Sequence, residues 1–125
     1  MEDTIDEKMN VLVVDDEEVI CQLMEDVLEM LDYKPMTCGE PLAAIDLFRE
    51  HHNHIRFVII DMMMPKMNGQ VLFKELKKID PAVKVLVLSG YSMIQEIEDM
   101  LEQGVVGFLQ KPVTIKKLTD LISTI

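Results

Sequence analysis

Three aspartates and a lysine come at the ends of apolar runs in this chain, where folding could bring them together. Asp15 and Asp16 follow the first run and Asp61 follows a second, while Lys111 comes two residues after a third. If these runs are strands of one parallel sheet, the charged residues gather at its carboxyl edge, where open α/β folds bind ligands. Three carboxylates at one point repel one another unless a cation lies among them, and a lysine there makes room for an anion. The set therefore predicts a divalent cation and phosphoryl chemistry.

Oxygen groups close to these residues extend the predicted site. Mg²⁺ takes hard oxygen ligands, usually one or two carboxylates with waters and phosphate oxygens. The backbone carbonyl of Met63, two residues after Asp61, is placed to add one such oxygen. Ser89 ends another apolar run, and its hydroxyl is able to donate to a phosphoryl oxygen if it faces the cluster. Pro112 directly after Lys111 raises the chance of a cis peptide bond, which would fix a tight turn and so aim the lysine.

Each of these residues also has an ordinary structural interpretation. An aspartate between a strand and a helix often caps the helix by accepting backbone N–H bonds. A serine after a strand often caps a turn, and a lone lysine is usually solvated. Two aspartates followed by Glu17 and Glu18 exceed what one cap requires, but taken alone Asp15 and Asp16 leave both interpretations open.

Apolar patterns predict a chain that alternates strands and helices five times. Short continuous apolar runs are typical of strands buried on both faces, and segments with helical apolar spacing separate them. The predicted strands cover residues 11–14, 33–38, 57–60, 83–88 and 106–109, with helices opening near residues 17, 41, 68, 92 and 114. This alternation predicts an α/β fold with a doubly wound parallel sheet and helices on both faces. Pro35 cannot donate a ladder hydrogen bond, so the second strand is expected at a sheet edge.

Capping residues and turn formers predict the helix ends. Pro41 suits the first turn of the second helix, and Asn68 is expected to cap the third. Ser92–Gln95 resembles a capping box for the fourth helix, which Gly104 should end. Thr114 should cap the fifth helix. The apolar face of that helix is predicted to consist of Ile115, Leu118, Leu121, Ile122 and Ile125.

Length and charge exclude several classes of protein. The 125 residues suit one domain, predicted at 10–125 after a short disordered leader at 1–9. The net charge of −11 repels nucleic-acid backbones and anionic membranes, so direct binding to either is not expected. No apolar stretch approaches the roughly 18 residues that span a bilayer, and the acidic start is unlike a signal peptide. A cytoplasmic protein is therefore expected.

The cysteines and histidines are weaker candidates for functional residues. Cys21 and Cys38 are predicted to be reduced core thiols, because a single pair in a chain of this type seldom forms a disulfide. The cluster of His51, His52 and His54 could bind a metal ion, but three histidines at a polar helix end are more often a solvated surface.

Taken together, the motifs resemble the receiver domain of bacterial two-component response regulators. The resemblance covers residues 10 to about 122 and keeps the order and spacing of that family. It implies a flavodoxin-like fold with a five-stranded parallel sheet in the order 2-1-3-4-5. The motifs that carry it are Val14-Asp15-Asp16-Glu17, the segment DMMMPKMNG from Asp61 to Gly69, Ser89-Gly90 and Lys111-Pro112.

The resemblance implies a role for each residue of the site. Asp61 would be the phosphoacceptor, whose carboxylate attacks a phosphohistidine of a partner protein. Asp15, Asp16, Asp61 and the carbonyl of Met63 would bind Mg²⁺, with Mn²⁺ as an alternative. Lys111 would pair with the phosphoryl oxygens.

Ser89 and Phe108 match the switch positions of the family. Phosphorylation would draw Ser89 toward the phosphoryl group and turn Phe108 inward, which reshapes the surface of helix four, strand five and helix five. Phe108 lacks the hydroxyl of a tyrosine, and its alternative interpretation is a core aromatic residue at a strand end. Met63 and Tyr91 flank the site in this family, and their bulk predicts slow autodephosphorylation.

The implied function is a phosphoacceptor switch in a two-component phosphorelay. Such a domain catalyses its own phosphorylation and dephosphorylation and is not a conventional turnover enzyme. The expected partners are a sensor histidine kinase or histidine phosphotransfer protein, and a downstream output protein or domain. The chain is expected to be a stand-alone regulator, or a receiver excised from a larger regulator or hybrid kinase. It should be a monomer, or a dimer that forms on activation.

Three other functions compete with this interpretation. A magnesium-dependent phosphohydrolase with an aspartyl-phosphate intermediate usually needs an acid two positions after the nucleophile, and Met63 stands there instead. A degenerate receiver would bind partners without phosphorylation, against which the complete acidic set, Ser89 and Lys111 argue. A flavodoxin-like nucleotide-binding domain would require a glycine-rich phosphate loop, which this sequence lacks.

Overall fold

Five parallel strands form one sheet in the order β2-β1-β3-β4-β5 in the computed structural model, which describes residues 9–90 and 94–125. The strands are β1 (Asn10–Val14), β2 (Lys34–Cys38), β3 (Ile55–Asp61), β4 (Val85–Ser89) and β5 (Gly107–Gln110). The helices are α1 (Glu18–Met30), α2 (Pro41–His51), α3 (Gly69–Ile79), α4 (Ile94–Glu102) and α5 (Ile115–Ile122), with a 3₁₀ turn at His52–His54. The predicted fold class and strand order are confirmed. Residues 1–8 of the leader predicted at 1–9 lie outside the described residues.

Alternate residues of the central strands face opposite sides of the sheet, and each side has its own apolar core. On one side, strand residues such as Val13 and Ile59 pack with Leu28 of α1 and Leu118 of α5. On the other side, the core joins strand residues to α2, α3 and α4 through Phe48, Leu72, Phe73, Leu76, Ile97 and Met100. Because both faces of the sheet are covered, the central strands read as continuous apolar runs.

The second strand lies at the edge of the sheet, as Pro35 predicted. Pro35 is paired with Val11 of β1, and the other side of β2 has no partner strand among the described residues. A proline is tolerated in an edge strand, because its missing N–H removes no hydrogen bond on the side that has no partner strand.

Several predicted helix ends are confirmed. The side chain of Asn68 accepts a hydrogen bond from the N–H of Val71 at 2.9 Å, and that of Thr114 accepts from Lys117 N–H at 3.2 Å. Pro41 is the first residue of α2. Gly104 has a φ of 115° just after α4 ends, a conformation that glycine adopts without strain. The capping box predicted at 92–95 begins outside the described residues.

Some predicted details are wrong. Ile115 is exposed, so the apolar face of α5 is narrower than predicted and is centred on Leu118 and Ile122. Cys21 and Cys38 are half-buried rather than core residues, because both lie near the carboxyl edge of the sheet. Their thiols donate hydrogen bonds to the carbonyls of Asp15 and Glu40, respectively.

The histidine cluster lies where α2 runs into the 3₁₀ turn. His54 is exposed, whereas His51 and His52 are half-buried. His52 Nδ1 lies 3.6 Å from Asp80 Oδ2, and its ring packs against Phe48.

Among the described residues, no helix has the length and apolar character required to cross a bilayer.

Candidate functional site

The register of the sheet brings the predicted site residues to one edge. Val14 pairs with Ile60 across β1 and β3, so the next residues, Asp15 and Asp61, follow side by side. The N–H of Asp15 donates to the carbonyl of Cys38 at 3.1 Å, which ties the end of β1 to the end of β2. Asp61 is the last residue of β3 rather than the first residue after it. The strand ends therefore place both carboxyl groups at the carboxyl edge of the sheet.

Asp15, Asp16 and Asp61 form a carboxylate cluster. One oxygen from each of the three residues lies within 4.8 Å of the other two. Asp15 is 1% exposed and Asp61 is 2% exposed, whereas Asp16 is open to solvent. Two buried carboxylates and one exposed carboxylate thus converge on a point that solvent reaches from one side.

The hydrogen bonds of the cluster leave an oxygen that suits a cation. Asp15 Oδ1 accepts the N–H of Glu17 at 2.9 Å, and Asp61 Oδ1 accepts the N–H of Met63 at 3.2 Å. Asp15 Oδ2 is buried and has no hydrogen-bond partner among the described residues. An ionised buried oxygen without a partner is costly, and a hard divalent cation supplies the missing partner. The residues therefore fit a magnesium-type ion.

The electrostatics of the buried carboxylates agree with this fit. Burial raises the pKa of Asp15 from 3.8 to about 6, with a smaller upward contribution from the charge of Asp61. The N–H of Glu17 and the charge of Lys111 act in the opposite direction. Burial also raises the pKa of Asp61, against the hydrogen bond from Met63 and the charge of Lys111. A bound cation would favour the ionised form of both carboxyl groups.

Lys111 points into the cluster, as its position after the fifth predicted strand indicates. Its Nζ lies 3.5 Å from Asp61 Oδ2 and 3.8 Å from Asp15 Oδ2. Its backbone N–H donates to the carbonyl of Ser89 at 2.8 Å, and the peptide bond to Pro112 is cis, as predicted. The lysine is thus positioned by its backbone as well as by its side chain.

The shortest contact of Lys111 is to Glu17, whose Oε1 lies 2.8 Å from Nζ. Burial lowers the pKa of Lys111, but the Glu17 bond and the charges of Asp15 and Asp61 outweigh it, and the net pKa is raised. Glu17 is a site residue whose pairing the sequence does not reveal. Its only signal is a third acidic residue directly after the two aspartates.

Ser89 and Phe108 line a cavity of about 440 Å³ between α4 and β5. Ser89 is buried at the end of β4, whereas Phe108 is 45% exposed in β5. Phe108 is therefore not a core aromatic residue, which was its alternative interpretation. Ile94, Ile97 and Leu101 of α4 complete the apolar wall of the cavity.

The start of α3 packs tightly against the end of β3. The N–H of Gly69 donates to the carbonyl of Met62 at 3.0 Å. A Cβ at Gly69 would lie 2.9 Å from the carbonyl oxygen of Asp61 and 3.0 Å from the Cα of Met62. Only glycine allows the helix to approach the end of β3 this closely. The side chain of Met63, in contrast, is exposed.

The sequence of the chain matches a known protein family. The model of the response regulator receiver domain matches residues 11–123. The chain belongs to this family. It is therefore a receiver domain of two-component response regulators, a type of signalling module rather than a conventional enzyme.

Curated relatives of this receiver domain are much longer proteins. The transcriptional regulatory protein ZraR of Klebsiella oxytoca is 30% identical over 94% of the chain, which covers 26% of ZraR. The autoinducer 1 sensor kinase/phosphatase LuxN of Vibrio harveyi is 31% identical over 90% of the chain, which covers 13% of LuxN. The chain thus spans about a quarter or less of these two relatives.

Solved structures of similar length share the fold. A response regulator receiver domain protein from Clostridium thermocellum is 33% identical, with a TM-score of 0.86, over 92% of this chain and 91% of that chain. A response regulator receiver protein from Pseudomonas putida is 27% identical, with a TM-score of 0.83, over 94% of this chain and 98% of that chain.

Proposed function

We propose that this receiver domain is a phosphoacceptor switch in which Asp61 takes a phosphoryl group from a histidine kinase or histidine phosphotransfer protein. The observation that carries this proposal is the carboxylate cluster of Asp15, Asp16 and Asp61, with a buried oxygen of Asp15 that has no hydrogen-bond partner. Lys111 beside the cluster supplies a cation for an incoming anion.

Mg²⁺, or Mn²⁺ as an alternative, would be held by Asp15, Asp16, Asp61 and the backbone carbonyl of Met63. When bound, such an ion neutralises charge shared between the acceptor carboxylate and the phosphoryl oxygens. Its site is supported by the donor set, which consists of hard oxygen atoms only.

Phosphoryl transfer needs an ionised acceptor in a fixed orientation. The hydrogen bond from the N–H of Met63 holds Asp61 Oδ1, while Oδ2 faces Lys111. The nearby ammonium group offsets part of the effect of burial on the pKa of Asp61 and favours the nucleophilic carboxylate. A carboxylate oxygen forms the bond to phosphorus, and the bond to the donor's imidazole nitrogen breaks. Positioning and charge neutralisation account for most of the catalysis.

The product adds about 1.5–2 negative charges to a buried position, by analogy with other phosphorylated side chains. Lys111 pairs with the new phosphoryl oxygens, and the hydroxyl of Ser89 moves to donate to one of them. Phe108 turns from its exposed position into the neighbouring cavity. These movements change the surface formed by α4, β5 and α5, which an output protein or domain reads.

The proposed partners are a kinase or phosphotransfer protein on the input side and an output protein or domain on the other. Autodephosphorylation is the only other reaction that we propose. The phosphoryl group should be lost slowly, because the bulky side chain of Met63 flanks Asp61. Tyr91, the second flanking residue, lies outside the described residues. The domain acts as a monomer or as a dimer that forms on activation, either alone or as part of a larger regulator or hybrid kinase.

Intact-mass spectrometry after incubation with acetyl phosphate and Mg²⁺ tests this proposal. The expected result is one hydroxylamine-sensitive phosphoryl adduct, absent in Asp61→Ala. No adduct and no magnesium binding would instead favour a degenerate receiver that binds partners without phosphorylation. Steady release of phosphate from many substrates would favour the phosphohydrolase, against which the methionine at position 63 argues.

A further inference from the structure

The ammonium group of Lys111 is engaged by a carboxylate outside the cluster. Glu17 Oε1 lies 2.8 Å from Lys111 Nζ, closer than Asp61 Oδ2 at 3.5 Å and Asp15 Oδ2 at 3.8 Å. Only the contact with Glu17 has the length of a strong charge-assisted hydrogen bond. In the resting receiver, the cation of the site is therefore directed primarily at Glu17.

The backbone of Glu17 is held in place next to the cluster. Its N–H donates to Asp15 Oδ1 at 2.9 Å, and its carbonyl accepts the N–H of Cys21 at 3.1 Å. Glu17 is also the extended residue that precedes α1. These two hydrogen bonds thus fix the position of the Glu17 backbone beside the cluster. From this position the side chain of Glu17 reaches Lys111.

The two side chains of this pair differ in exposure. The side chain of Glu17 is 58% exposed, and that of Lys111 is 26% exposed. Glu17 therefore lies at the rim of the site, where water replaces its bond to the lysine at low cost. Lys111 faces inward and has two buried carboxylates as its other neighbours, so it is the partner that a phosphoryl group would draw away.

We propose that Glu17 is a positioning residue that holds Lys111 in the resting site and competes with the phosphoryl group for it. This inference rests on the proposed function of Asp61 as phosphoacceptor. Transfer of a phosphoryl group to Asp61 requires Lys111 to exchange its bond to Glu17 for bonds to phosphoryl oxygens. Glu17 thereby sets how readily the site accepts a phosphoryl group from a small donor, without touching the reacting atoms.

Glu18 provides a matched control for this proposal. It carries the same charge, adjoins Glu17 in the chain and is exposed at the first turn of α1. Within the described residues, the ion pairs of Lys111 involve Asp15, Glu17 and Asp61, and not Glu18. Glu17→Gln and Glu18→Gln therefore remove the same charge from almost the same place, but only the first removes the carboxylate that is ion-paired with Lys111.

The experiment compares wild type, Glu17→Gln and Glu18→Gln. We expect Glu17→Gln to raise the rate constant for phosphorylation by acetyl phosphate and Mg²⁺ about two- to fivefold, the range for a partly exposed ion pair. Glu18→Gln should stay close to the wild-type rate constant.

A direct readout of the contact is the side-chain NMR signal of Lys111, assigned with Lys111→Arg, in the unphosphorylated proteins. That signal should shift in Glu17→Gln and not in Glu18→Gln.

Equal rate constants for the two glutamine variants, or a Glu17→Gln rate constant at or below that of wild type, would overturn the inference. An unchanged Lys111 signal in Glu17→Gln would do the same. In each of these cases the wild-type protein is still phosphorylated, and the proposed function stands. A wild-type protein that takes up no phosphoryl group would overturn the proposed function and this inference with it.

Discussion

Lys111 Nζ lies 3.5 Å from Asp61 Oδ2, although their strands are separated in the sheet by β4. The N–H of Lys111 donates to the carbonyl of Ser89 at the end of β4, and the lysine side chain reaches past that strand to the end of β3. A cation and a buried carboxylate are thereby brought together from two distant segments of the chain.

Asp15→Asn should stabilise the protein in the absence of divalent cations. Burial raises the pKa of this carboxyl group from 3.8 to about 6, so its ionised form destabilises the folded state at neutral pH. Removing the charge should raise the free energy of unfolding by roughly 1–3 kcal/mol at pH 7.5 in EDTA. Urea denaturation measures this, with Asp26→Asn on the exposed face of α1 as the control. A loss of stability in Asp15→Asn would contradict the burial argument.

The same pKa shift fixes the sign of the pH dependence. Because the pKa of Asp15 is higher in the folded state, the folded protein binds more protons between about pH 4 and 6. The stability that protonation of Asp15 contributes is complete below about pH 4 and is lost as the pH rises through about 6. The metal-free wild type should therefore lose more stability than Asp15→Asn over this window, and magnesium binding should weaken as the pH falls through about 6. Parallel profiles for the two proteins would refute this assignment.

Gly69→Ala should destabilise the fold and impair the site together. The added Cβ would meet the carbonyl oxygen of Asp61 at 2.9 Å and the Cα of Met62 at 3.0 Å, which are backbone atoms. Relief of these contacts requires the start of α3 to move away from the end of β3, at a cost of about 1–3 kcal/mol. Gly39→Ala, whose Cβ would meet only ordinary contacts at 3.6 and 3.8 Å, should remain near wild type in urea denaturation. Equal stability of the two variants would disagree with the tight packing at Gly69.

Lys77→Met should loosen the C-terminal end of α4. The ammonium group of Lys77 donates to the carbonyl of Gln103 and lies 5.5 Å from the centre of the Phe73 ring. Methionine keeps an apolar stem but loses both interactions, so we expect a loss of about 1 kcal/mol in stability. Lys78→Met serves as the control, because Lys78 forms only an exposed pair with Glu75 among the described residues. Faster amide exchange near Gln103 should accompany the loss in Lys77→Met and be absent in the control.

Phe108→Trp should report the proposed switch by fluorescence. The natural sequence has no tryptophan, so the introduced indole would be the only one. Position 108 is exposed beside the cavity that its side chain would enter in the proposed switch. Phosphorylation should shift the emission to shorter wavelength as the indole ring leaves water. The shift should be absent when Asp61→Ala is added and reduced when Ser89→Ala is added. A phosphorylated Phe108→Trp protein with unchanged emission would show that residue 108 does not turn inward.

The sequence predicted the features of this receiver that depend on local pattern. Apolar runs located the strand ends, and because parallel strands end at one edge, Asp15, Asp61 and Lys111 could be placed together in advance. Side chains that cap their own helix, such as Asn68 and Thr114, were also predictable, since the partner N–H lies three residues away.

Features that depend on the packing of distant elements were not predictable in the same way. The bond between Glu17 and Lys111 needs the start of α1 and the turn after β5 to meet, which no local pattern encodes. The exposure of Ile115 depends on how α5 is oriented against the sheet, which is a matter of tertiary packing. Apolar identity alone therefore predicted burial of Ile115, which the fold does not provide.

The most direct test of the account is to locate the phosphoryl group. After phosphorylation by acetyl phosphate and Mg²⁺, borohydride reduction converts an aspartyl phosphate into homoserine, which peptide mass spectrometry detects by position. We expect homoserine at residue 61, dependent on Mg²⁺ and sharply reduced in Asp15→Asn. Homoserine at Asp15 or Asp16 instead, or a phosphorylated protein without homoserine at any aspartate, would contradict the assignment of Asp61 as the acceptor.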